Sequence, residues 1–110
     1  MNGRYILDGH RPVECEDLME WGQWMQTGDR RVAKTMVGAA EVSTVFLGLD
    51  HRFGPGAPIL FETLIFGGER DGDGDRYMTW EQAEAGHAKF VAELKAAGVP
   101  AIDANDDARR

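Results

Sequence analysis

Residues 41–68, EVSTVFLGLDHRFGPGAPILFETLIFGG, hold two apolar runs joined by a connector rich in glycine and proline, and they constrain the fold more than any other stretch. The first run, 42–49, is dominated by β-branched and aromatic residues. Alternation puts Ser43, Val45, Leu47 and Leu49 on one face, the more apolar one, and Val42, Thr44, Phe46 and Gly48 on the other. The second run, 59–66, alternates Ile59, Phe61, Thr63 and Ile65 with Leu60, Glu62, Leu64 and Phe66. Runs this short, uncapped and bounded by glycine or proline, read as strands. The connector, residues 50–58, is too long for a tight hairpin turn and predicts a structured loop where any site is expected.

The flanks supply the other elements. Residues 4–7 predict a short strand followed by an Asp8-Gly9 turn. Leu18, Trp21 and Met25 recur at helical spacing with Trp24 beside them, predicting a helix over 16–27 with acids in its first turns and Gly28 as its stop; the tryptophans read as core anchors. A strand over 30–37 turns through Gly38-Ala39 into the strand beginning at Glu41, and residues 69–76 read as a solvated loop. Thr79-Trp80-Glu81-Gln82 is a capping-box pattern and Gly98-Val99-Pro100 a terminator. Between them a helix over 80–97 presents Ala83, His87, Phe90, Val91 and Leu94 to the core, with Lys89 and Glu93 as an i,i+4 pair. The expected architecture is a single α+β domain over residues 1–100. It has a small antiparallel meander of three strands, the N-terminal segment supplying a possible fourth, two helices on one face, and a polar tail over 101–110.

Composition narrows the partners. The 110 residues carry 19 acidic against 12 basic side chains, a net charge of −7, with no basic patch for a phosphate backbone. Direct nucleic-acid binding is disfavoured, whereas a basic protein partner is electrostatically permitted. A lone cysteine, Cys15, leaves no intramolecular disulfide, and the absence of a leader or a long apolar run predicts a cytoplasmic protein with no membrane partner. Strands apolar on both sides leave homo-oligomer formation open.

Glu84 and His87 have an E-x-x-H spacing, but a two-metal carboxylate site needs a second such pair, so a hydrogen-bonded structural histidine is the favoured reading. Asp50, His51 and Glu62, joined by His87, are the candidates for an acid/base or metal cluster, which requires the strand to have ended before His51. The aspartates at 71, 73 and 75 imitate a calcium loop, yet the sixth position is Arg76 and the twelfth Gln82, so an acidic turn is the better account. Cys15 lacks a histidine at catalytic spacing, the glycines at 54 and 56 do not form a phosphate loop, and no cofactor is indicated. Asp50, His51, Arg52 and Phe53 are the candidate partner-binding residues, because arginine and aromatic side chains anchor protein interfaces. The plainer alternative has Phe53 folding back onto the core and Arg52 pairing with Glu62 or a solvent-side acid.

Six segments, YILDG (5–9), DLMEW (17–21), RVAKT (31–35), VSTVFLGLDH (42–51), LFET (60–63) and WEQAEAGH (80–87), resemble in that order a widespread family of small uncharacterised proteins encoded by tailed bacteriophages and prophages. The resemblance carries over no functional residue. It implies a phage accessory protein, without enzymatic activity, that binds a host or defence-system protein in the host cytoplasm. Two alternatives stand beside it: a small metal-dependent enzyme or ligand-binding domain using Asp50, His51, Glu62 and His87, and a minor virion or assembly component.

Overall fold

A computed structural model describes residues 3–98. In chain order they form β1 (Tyr5–Asp8), β2 (Arg11–Glu14), α1 (Leu18–Thr27), β3 (Arg31–Val37), β4 (Ala40–Phe46), β5 (Phe61–Phe66), β6 (Gly74–Tyr77) and α2 (Trp80–Ala96). The fold is α+β: β3-β4-β5-β6 make a four-stranded antiparallel meander, and β1-β2 a separate two-stranded sheet. The polar tail expected at 101–110 lies outside the described residues.

The N-terminal segment therefore does not join the meander as its fourth strand. It pairs with β2, a strand the sequence reading lacked because Pro12 interrupts it. Asp8 and Arg11 close the two-residue turn, so Leu7 and Pro12 face each other at a non-hydrogen-bonded position, where a missing N–H costs nothing. The alternation continues to the Cys15 N–H, which donates to the Arg4 carbonyl at 2.8 Å. The hairpin reaches the rest of the fold through the Tyr5 N–H on the Gly48 carbonyl, 2.9 Å, and the His10 ring, stacked 3.8 Å from Trp80.

The actual fourth strand is β6, within the stretch read as a solvated loop. Its GDRY sequence is polar because an edge strand needs little apolar surface: Tyr77 turns inward opposite Phe61, and Arg76 turns outward opposite Glu62, bonding it at 3.0 Å.

Both helices pack on one face of the meander, the face of Val42, Thr44 and Phe46 on β4 and Phe61, Thr63 and Ile65 on β5, all fully buried. The more apolar parity of the 42–49 run lies on the other side: Ser43 and Val45 are only half-buried and Leu49 is exposed. Helix α2 spans all four strands. Helix α1 begins one residue after its cap, Asp17, whose carboxylate accepts the Met19 and Glu20 N–H groups. It meets the sheet at one end, with Trp24 edge-on to Phe46 and the Trp21 indole N–H donating to the Gly48 carbonyl at 3.1 Å. Leu18, expected on its apolar stripe, is instead exposed. Gly48 has φ +78°, the left-handed region that favours glycine, and the end of the Met25 side chain fills the space beside it.

Candidate functional site

The connector between β4 and β5 is built around one carboxylate. Oδ1 of Asp50 accepts the N–H groups of Arg52 (2.9 Å) and Ile59 (3.0 Å), tying the two ends of the loop together. Its Oδ2 pairs with Arg52 Nε at 2.8 Å, and the same guanidinium donates through Nη1 to the Gly56 carbonyl. The Asp50 N–H donates to the Gly3 carbonyl and the His51 N–H to that of Ile59. Burial by itself would raise the Asp50 pKa, but the two backbone N–H groups and the Arg52 guanidinium together outweigh it and hold the carboxyl below its ordinary value. Nearby, burial raises the Tyr5 pKa, helped by the Glu14 and Asp50 carboxylates against the opposing charge of Arg52.

This frame leaves one side chain wholly in water. Phe53 is 98% exposed, so it does not fold back onto the core. Of the four residues expected to bind a partner, Asp50 and Arg52 are turned into the loop as its brace, His51 is half-buried, and only Phe53 projects. Arg52 pairs with Asp50, leaving Glu62 to Arg76.

The proposed acid/base or metal set does not assemble. Glu62 lies on the open face of the sheet, while His87 lies on the helix-covered face; Asp50 is spent on the loop, and Glu84 is exposed. Among the described residues no group of three or more His, Cys, Asp or Glu is placed to hold a metal ion. The acidic turn has local uses for its carboxylates: Asp71 accepts the Gly67 N–H, Asp73 pairs with Arg70, and Asp75 accepts the Arg76 N–H. Cys15 is buried, its thiol directed at the Asp17 carbonyl.

His87 belongs to a polar seam beneath α2. Its Nε2 is 2.9 Å from Thr35 Oγ1 and its Nδ1 is 2.7 Å from Thr44 Oγ1. Thr44 Oγ1 is 2.5 Å from Thr63 Oγ1, which accepts the Tyr77 hydroxyl at 3.1 Å. Every strand of the meander thus contributes one residue and α2 the fifth. The proton order that leaves only the half-buried Thr35 to send its own hydrogen outside the seam is Tyr77 to Thr63, Thr63 to Thr44, Thr44 to Nδ1, and Nε2–H to Thr35. That order assigns a neutral imidazole protonated at Nε2. Burial lowers the His87 pKa in keeping with it, and raises that of Tyr77, against the bond to Thr63.

No family model, curated protein or solved structure matches the chain. The site therefore rests on its own geometry. The sequence reading found the loop and His87 but missed Thr35, Thr44, Thr63 and Tyr77. The available signal was a threonine at the buried centre of each apolar run, and the two stand directly opposite each other in the β4–β5 register.

Proposed function

We propose that this protein acts without catalysis, by binding another protein, with Phe53 as the anchor that enters an apolar pocket on its partner. The supporting observation is the contrast between the loop's rigid frame and the full exposure of that phenyl ring. Burying a phenylalanine side chain is worth about 1.5–3 kcal/mol, and here none of it is spent on folding. A ring already held out in one backbone conformation loses little entropy when it docks. The net charge of −7 favours a partner whose pocket is rimmed by basic residues, and it opposes a second copy of this chain. The resemblance of the segments from 5–9 through 80–87 supports a phage setting, in which the partner is a host or defence-system protein and the site of action is the host cytoplasm.

The test pairs capture from bacterial cells with reconstitution from purified components. Phe53→Ala should weaken the purified complex about 30-fold or more, the scale of an interface hot spot of 2 kcal/mol or above. Its own unfolding should change by less than about 0.5 kcal/mol, because the ring touches nothing in the folded chain. Undiminished affinity would remove the loop as the binding site and leave the open face of the meander, with Met36 and Phe66, as the next surface to probe.

A further inference from the structure

The seam cuts the interior in two. On one side Val37, Ala40, Val42, Ile65 and Leu94 form an apolar cluster; on the other Phe46, Leu60, Phe61, Trp80 and Ala83 form a second. Helix α2 is held to the first through Leu94 and to the second through Trp80 and Ala83, with His87 between them. Where the two clusters are interrupted, the helix is fastened by hydrogen bonds through one imidazole.

We propose that His87 is a proton-operated latch: the seam holds the middle of α2 on the sheet while the ring is neutral, and uptake of a proton there releases the helix. The geometry carries this. A neutral ring fits: with its hydrogen on Nε2, both nitrogens lie at hydrogen-bonding distance from a threonine, Nδ1 to accept from Thr44 and Nε2–H to donate to Thr35. An imidazolium must donate from both nitrogens, so Thr44 has to accept from Nδ1–H and turn its own hydrogen toward Thr63. Thr63 already accepts from Tyr77, and its hydrogen is then left to find a new acceptor in the core.

The surroundings offer the charge no compensation. The groups facing the ring are Thr35 from β3, Thr44 from β4 and Thr63 from β5, none of them ionisable. From β6 come Tyr77, neutral at these pH values, and Asp75, exposed and bonded to its own chain at the Arg76 N–H. On α2 itself Glu84 is exposed, and among the described residues no carboxylate bonds to the imidazole. An unpaired buried charge is what proteins avoid most strongly, so the ring escapes to water and takes the helix with it.

The sign follows from linkage. Burial depresses the folded-state pKa of His87, so the unfolded chain binds the additional proton first. The latch is fully closed above the ordinary histidine value of about 6.5 and weakens as pH falls below it, toward the depressed folded value.

Three measurements decide the matter. In wild-type protein followed by NMR, the His87 ring should stay neutral through pH 6.5 while the chain remains folded; titration at or above that value overturns the latch. Between pH 7 and 5 the wild-type folding constant should fall relative to His87→Gln by up to about tenfold per pH unit, the limit for one proton; parallel curves overturn it. If His87→Gln fails to fold, the wild-type titration still decides. Hydrogen exchange at pH 5.5 against pH 7.5 separates a latch from general acid weakening. Loss of protection concentrated in α2 supports the latch, and equal loss across the meander rejects it.

Discussion

At the residue scale, the tightest constraints sit where a small side chain lets two polar groups meet. Gly86 is such a place: a methyl group there would overlap the Tyr77 ring and hydroxyl, the seam's β6 end. Helix propensity favours alanine over glycine by about 1 kcal/mol in a helix interior, whereas overpacking costs about 1–3 kcal/mol. Gly86→Ala should therefore lower the melting temperature despite its better propensity, and a rise would show that Tyr77 can leave its position freely. Thr44→Val keeps the volume but removes the hydroxyl that serves both Thr63 and His87. Leaving those groups unsatisfied should cost about 1–3 kcal/mol in denaturant unfolding. Asp50 makes a comparable case in the loop, where one carboxylate oxygen satisfies the N–H groups of both Arg52 and Ile59, one at each end of the loop. Its depressed pKa means that its support is present above the ordinary carboxylate range and is lost as pH falls through the folded value.

At the element scale, α2 shows how a local pattern and its tertiary setting divide the energy. Thr79 accepts the Gln82 N–H at 3.0 Å, as the capping pattern predicts, but the Gln82 side chain accepts from the Met78 N–H, one residue before the cap. The helix closes with Gly98 at φ +70°, its N–H on the Lys95 carbonyl. The expected exchange between Lys89 and Glu93 gives way to a longer-range one: Arg70 bonds Glu93 at 2.9 Å while its guanidinium lies 5.3 Å from the centre of the Phe90 ring. Phe90 is half-buried, and Leu94 is the deeper residue, at 3% exposure. In a melting series Thr79→Ala should cost about 1 kcal/mol and Leu94→Ala about 2–5 kcal/mol, with Phe90→Ala below Leu94→Ala. The reverse order would mean that the C-terminal half of α2 sits differently on β3 and β4.

At the scale of the whole molecule, one face of the meander carries both helices and the other carries none. The open face holds Met36, Glu41 and Phe66 in one row across three strands and Val45, Glu62 and Arg76 in another. Met36 and Phe66 are more than half exposed, separated by charged pairs such as Lys34–Glu41. With a net charge of −7 opposing self-association, the protein should sediment as a monomer. Phe66→Lys should then leave unfolding within about 0.5 kcal/mol and partner affinity unchanged. A loss of affinity equal to that of Phe53→Ala would extend the interface onto this face. No helix among the described residues is long and apolar enough to cross a membrane.

The sequence by itself determined what short-range physics controls. The capped α2, the existence of α1 and its stop at Gly28, the Gly38-Ala39 turn between β3 and β4, and the extended character of β4 and β5 all follow from side-chain period, capping groups and glycine placement, while the Asp17 cap moved the start of α1 from the expected residue 16 to Leu18. So did the existence of a structured loop over 50–58, because its composition resists both strand and helix. Tertiary structure alone decided which face of β4 goes inward, and the reason is polar: the Thr44 hydroxyl can be buried because Thr63 and His87 are brought to within hydrogen-bonding distance of it. It also decided that a polar GDRY segment is a strand, since only the neighbouring edge of β5 supplies its partners. In the loop, it separated Asp50 and Arg52, which hold each other, from Phe53, which is left to meet whatever binds. Pairings between residues tens of positions apart depend on the path of the whole chain, and no local pattern in the sequence encodes that path.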